Sequence, residues 1–154
     1  MTRVLRPEAV LLVGIQATGK STFVRERLYD THVRINLDMV RTRNRERLLL
    51  EACLEGAQSF VVDNTNVSRE QRARYIEAAR ASDFRIVGFY FQSAIDAALE
   101  RNARRPEGDR VPEAGVRGTH ARLELPSMDE GFDELHYVAQ QRGGFRVEAW
   151  GDEV

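Results

Sequence analysis

The chain has 154 residues, 42% hydrophobic and 31% charged, and its 23 basic and 24 acidic side chains give a formal net charge of −1. That length suits a single α/β core spanning 1–154, and the near-neutral balance argues against coating nucleic acid through bulk charge while leaving room for a local basic groove. A lone cysteine, Cys53, excludes an internal disulfide, His32, His120 and His136 lack metal-ligand spacing, and no apolar run reaches membrane-spanning length. The expectation is a cytoplasmic protein with no membrane association.

In chain order, Ala-Val-Leu-Leu-Val at 9–13 is a wholly apolar run, the pattern of a central parallel strand buried on both faces. It leads into Gly14-Ile15-Gln16-Ala17-Thr18-Gly19-Lys20-Ser21, a complete P-loop pattern, and then into helical sequence at 21–28 with Phe23, Val24 and Leu28 able to share a face. Strand, glycine turn and helix N-terminus together make an anion site. Gly14, Gln16, Ala17, Thr18, Gly19, Lys20, Ser21 and Thr22 are therefore the candidate nucleotide-binding residues, with Lys20 reaching the β- and γ-phosphates and the Ser21 hydroxyl ligating Mg²⁺. Lys20 is the only lysine among the 23 basic residues, so the one compact ammonium falls where an arginine fork would not fit between phosphate oxygens.

A short second strand is predicted at 32–36, then a helix over about 44–58 carrying Cys53 at a buried position. The third strand, 59–62, ends in Asp63-Asn64-Thr65-Asn66, and Ser68 with Gln71 signals a capped helix to about 81. Residues 84–91 form the longest strand candidate, Ser93 could cap a helix to about 104, 105–111 is a polar loop, and Pro112 opens a helix to about 123. Strand-like 134–138 and a shorter 145–147 close the chain. Alternating strands and helices predict a three-layer α/β fold of the P-loop NTPase, kinase-like kind, with a central parallel sheet, a helical lid at about 101–123, and a site at the carboxyl ends of the strands.

Charge alone assigns the arginine runs at 34–47 and 101–110 to solvated faces; position has to decide. Asp38 and Arg41 follow the second strand at a spacing that sets them side by side on a first helical turn, although Asp38 also fits a plain helix cap. Asp63 ends the third strand, where P-loop proteins place the carboxylate of the Mg²⁺ site, and Arg101 and Arg105 fall four apart on one helical face leading into the lid.

Together these residues resemble the P-loop polynucleotide 5′-hydroxyl kinases, from about residue 10 to 137. The P-loop matches, Asp38-x-x-Arg41 is similar to the acceptor-site Asp-x-x-Arg, and Asp63-Asn64-Thr65-Asn66 is similar to the Asp-Asn-Thr-Asn after the third strand. Arg101-Asn102-Ala103-Arg104-Arg105 with Val111-Pro112 resembles the lid motif, and Pro126 through Glu130-Gly131-Phe132 resembles a Pro-x-x-x-Glu-Gly-Phe segment before the last parallel strand. The resemblance implies ATP as donor, Mg²⁺, and nucleic acid 5′ ends, DNA or RNA, as acceptor. It also implies Asp38 as general base, Arg41 on the acceptor phosphate, and Arg101 and Arg105 at the nucleotide phosphates, so that Lys20, Asp38, Arg41 and Arg105 form the catalytic set and Ser21 and Asp63 the metal set. In the phage pattern the acidic residue sits one place nearer the Thr-Asn pair, which leaves Asp63 and Asn64 as alternatives at that position. The chain also lacks the phosphatase module found beside the kinase in the phage and animal enzymes.

Two other functions fit the same P-loop: a kinase for a small hydroxyl acceptor such as a nucleoside, sugar or antibiotic, and a nucleotide-driven switch or ATPase module. Arg41 and its arginine neighbours favour a phosphate-bearing acceptor. Against a switch, no glutamate follows Asp63 to activate water, and a chain whose single lysine lies in the P-loop has no Asn-Lys-x-Asp to read guanine.

Overall fold

The computed structural model describes residues 6–151. Five parallel strands, β1 (Glu8–Val13), β2 (Val33–Ile35), β3 (Phe60–Val62), β4 (Arg85–Phe91) and β5 (Glu134–Gln141), join a sixth, β6 (Gly144–Ala149), in one sheet of order β2-β3-β1-β4-β5-β6. β6 runs antiparallel to β5 and forms one edge of the otherwise parallel sheet. The reason is local: Gly143 and Gly144, at φ 85° and 157°, turn the chain straight back where a parallel strand would need a crossover of a dozen residues.

β1 sits between β3 and β4, and its side chains are buried on alternate faces. Val10 and Leu12 pack with Phe23 and Val24 of α1 (Lys20–Arg27), while Ala9 and Leu11 belong to a second cluster with residues of α3 (Arg43–Glu55) and α4 (Arg69–Ala81), among them Leu50, Cys53, Tyr75 and Ile76. This is the three-layer α/β arrangement expected of an all-apolar central strand. Cys53 is buried, and burial pushes its thiol up from the ordinary range. Gly88 in β4 is required by close approach, since a Cβ there would meet the Phe132 ring at 2.7 Å and Leu135 at 2.8 Å.

A third, smaller cluster lies beyond the end of β1, where Ile15 packs with Ala98 of α5 (Ile95–Ala103) and Val116 of α6 (Glu113–Arg122). These two helices flank the segment expected to act as a lid, and α5 starts before residue 101. Ser93 does not cap α5: the helix begins after Ala94 with no side-chain cap, because the Ser93 hydroxyl accepts from the Ile15 amide at 3.1 Å and donates to the Phe91 carbonyl at 2.8 Å. Among the described residues no helix is long and apolar enough to cross a membrane.

Behind the sheet ends a buried ion pair acts as a strut. Arg72 of α4 and Glu130 are both buried, joined at 2.8 Å and 3.2 Å, and the same guanidinium donates to the Asn66 carbonyl at 2.8 Å. Asn66 is left-handed (φ 46°) and its amide reaches the Leu12 carbonyl at 2.7 Å, so the Glu-Gly-Phe segment is tied to the turn after β3 and to β1.

Candidate active site

The carboxyl ends of β1, β2 and β3 open into a cleft of about 530 Å³ that the lid loop covers on one side. One wall is the P-loop. Its conformation is fixed by its own polar groups: the Gly14 amide donates to the Thr65 carbonyl at 3.0 Å, and the Thr18 hydroxyl to the Ile15 carbonyl at 2.9 Å. Gly19 is left-handed (φ 97°), and a Cβ there would meet the Phe145 ring at 2.8 Å and crowd the Gln140 amide, so the β5–β6 hairpin presses on the back of the loop. α1 then begins with neither a side-chain cap nor an acidic residue in its first turn, which leaves its N-terminus to an anion. Gln16, Ala17, Gly19, Lys20, Ser21 and Thr22 line the cleft; Gly14 and Thr18 shape it from behind.

The Lys20 ammonium is buried over the loop, donating to the Gly14 and Ile15 carbonyls at 2.9 Å and 2.6 Å. Burial lowers its pKa from 10.5 to about 8, opposed by the Asp63 carboxylate and reinforced by the Arg105 guanidinium. Ser21 donates to Asp63 at 2.9 Å, bringing together the two residues read as the metal set. Two hard oxygens are too few for an all-protein cage but suit Mg²⁺, which keeps waters and takes phosphate oxygens as ligands. Asn64 does not compete for this place: its carbonyl oxygen accepts from the Leu37 amide at 3.0 Å and its amide donates to Glu46 at 3.3 Å.

Arg34 is a site residue that sequence reasoning missed. It donates to Asp63 at 2.8 Å and to the Ser21 hydroxyl at 3.2 Å, so a guanidinium rests on the metal-set oxygens. The only signal for it was its place in a strand beside β3, where the register sets Arg34 against Val61, two residues before Asp63.

The opposite wall is α2 (Leu37–Val40), a single turn capped by Asn36, whose side chain accepts from the Met39 amide at 3.0 Å and donates to the Asp63 carbonyl at 2.5 Å. Asp38 lines the cleft from this turn. Asn36 takes the cap position, so Asp38 is not the helix cap. Arg41 follows the turn, which ends at Val40: it is left-handed (φ 71°), and its exposed side chain is outside the cleft lining. The lid arginines separate. Arg101 donates to the Ala17 carbonyl at 3.1 Å and braces the P-loop, whereas Arg105, past the end of α5, lines the cleft. Asn102 holds the lid loop closed at its base through both the amide and the carbonyl of Val111, at 3.0 Å and 2.6 Å. Gln16 links the P-loop to α6 through Thr119 at 3.0 Å.

A mostly parallel sheet of this order with a P-loop after its central strand, a carboxylate across the cleft and an arginine in the loop after α5 makes a P-loop α/β fold of the kinase-like kind. A family model described as an AAA domain matches residues 41–126, more than half of the chain, and the chain belongs to that family. It is 28% identical over 135 residues to the bifunctional polynucleotide phosphatase/kinase of Schizosaccharomyces pombe, an alignment covering 85% of this chain but 33% of that protein, so the chain spans about a third of its curated relative. Its fold is similar to that of a fungal RNA kinase (TM-score 0.69, 17% identity, 92% of this chain and 40% of that one). It is similar also to a gluconokinase from Sinorhizobium meliloti 1021 (TM-score 0.61, 18% identity, 88% of this chain and 85% of that one).

Proposed function

We propose that the chain is an ATP-dependent 5′-hydroxyl polynucleotide kinase. The observation that carries this reading is the exposed Asp38 carboxylate, which faces the P-loop across one cleft with no residue pairing it among the described hydrogen bonds. The similarity to a bifunctional polynucleotide phosphatase/kinase supports the choice of acceptor. The P-loop amides and Lys20 would hold the β- and γ-phosphates, and Ser21 and Asp63 are the residues that would hold Mg²⁺, which would supply charge neutralisation to the phosphates. Asp38 orients the acceptor hydroxyl for in-line attack and takes its proton as the new O–P bond forms. The bond from the γ-phosphorus to the bridging oxygen breaks, and ADP leaves. The transition state is loose, so an ordinary carboxylate suffices and most of the acceleration comes from positioning and charge. Arg105 adds charge from the lid, and Arg41, outside the cleft lining, is assigned to an acceptor phosphate by the resemblance of Asp38-x-x-Arg41 to the acceptor-site motif.

The gluconokinase likeness favours a second reading, a small hydroxyl acceptor, because there the two chains match over most of both lengths. Incubation with γ-labelled ATP and Mg²⁺ separates them. Label is expected on a 5′-hydroxyl oligonucleotide and absent from gluconate, nucleosides and aminoglycosides; label on a small molecule alone would overturn the polynucleotide reading.

A further inference from the structure

Glu46 is a carboxylate on α3 with only 3% of its surface exposed, and the proposed chemistry does not use it. One of its oxygens accepts from the Tyr75 hydroxyl at 2.9 Å and from Arg43 at 2.9 Å. The other accepts from the Asn64 amide at 3.3 Å, and the Asn64 carbonyl oxygen accepts from the Leu37 amide, the first residue of the turn that carries Asp38. The chain of bonds has a direction. An ionised carboxylate accepts only, so it can face only the amide end of Asn64, which leaves the carbonyl end for Leu37. Burial and the neighbouring Glu46 charge raise the Tyr75 pKa, which keeps the phenol a donor.

We propose that Glu46 is a positioning residue that fixes the amide orientation of Asn64 and thereby the seat of Asp38 opposite the P-loop. Asn64 lines the cleft, yet its side chain is turned to the acceptor wall. The proposal rests on the reading of Asp38 as the acceptor-side carboxylate, and it assigns the Asn64 position a task distinct from that of Asp63.

The test exchanges the polarity of the pair. Glu46→Gln keeps the shape but brings in an NH₂ group: facing Asn64 it forces the asparagine to flip and strands the Leu37 amide, and facing Arg43 it sets donor against donor. With whichever acceptor the wild type phosphorylates, kcat should fall about 10–100-fold while ATP affinity and thermal midpoint hold. Amide exchange at Leu37 should quicken, a readout that needs no acceptor and so separates failure of this inference from failure of the polynucleotide reading. The double variant Glu46→Gln/Asn64→Asp restores donor to acceptor at every link and should recover both Leu37 protection and most of the transfer rate. Wild-type turnover and Leu37 exchange in Glu46→Gln, or a double variant no better than the single, would overturn the proposal.

Discussion

The two walls of the cleft are made of different materials. On the P-loop wall the loop itself is held mostly through its main chain: Lys20, Thr18 and Arg101 donate to loop carbonyls, and the helix N-terminus faces the cleft unaided. On the Asp38 wall a single helical turn is hung from two asparagine side chains, Asn36 and Asn64. On the proposed function, triphosphate binding is written into a backbone shape that a short motif specifies, whereas acceptor choice would depend on a few side chains whose partners lie far away in sequence. The P-loop wall should tolerate change poorly and uniformly; the Asp38 wall should respond residue by residue.

The largest effect is expected from Lys20→Met, which removes the one ammonium at the phosphates: kcat should drop on the order of 10³-fold in single-turnover assays, on any acceptor. Asp38→Asn should cost about 10²-fold in kcat and leave ADP affinity by calorimetry unchanged; equal losses in both would mean the walls are not separable. Arg105→Ala should lower kcat more than it raises the KM for ATP, the mark of a group engaged mainly in the transition state. It should also shift the Lys20 titration upward, because Arg105 helps to depress it.

Arg34→Gln should act in the opposite sense. Removing a cation from the Ser21–Asp63 pair should tighten Mn²⁺ binding up to about thirtyfold by electron paramagnetic resonance, taking a unit against a divalent charge near 4 Å in a water-like medium as about 2 kcal/mol; unchanged or weaker binding would make Arg34 a plain brace.

The smallest expected effect is a proton. Lys20 titrates at about 8 in the free protein against 10.5 in an unfolded chain, so the folded state holds fewer protons between those values. The depressed pKa therefore costs stability fully below about pH 8, and that cost is relieved as pH rises from about 8 toward 10.5. Phosphates arriving beside the ammonium raise its pKa again, so nucleotide binding near pH 8 should take up a fraction of a proton, read from calorimetry in buffers of different ionisation enthalpy. Zero uptake would place Lys20 fully charged in the free cleft.

Legibility in the sequence follows the same division. β1, the loop and α1 are contiguous, and their burial and turn chemistry could be read directly from residues 9–28. Asp38 and Asp63, which both line the cleft, stand out in the sequence because each follows a strand's carboxyl end. Arg34 and Glu46 were not: the first acts through the register of β2 on β3, the second through a helix face turned toward Tyr75 and Asn64, and neither pairing leaves a local pattern. Arg41 ends α2 in a left-handed conformation that its helical spacing from Asp38 does not reveal. Ser93 fits a helix cap in sequence, but its hydroxyl is engaged by the Ile15 amide and the Phe91 carbonyl.

The hairpin behind Gly19 sets an order of events during synthesis. Phe145 closes on Phe23 and Phe91 at ring separations of 5.4 Å and 6.2 Å, and Gln140 abuts the loop beside it. The P-loop motif leaves the ribosome well before its rear support at Gln140 and Phe145, so a nascent chain carries the complete motif for a time without the wall that shapes it. The nucleotide site is thus an early sequence that matures late, and nucleotide added during synthesis should protect only chains already extended beyond residue 145.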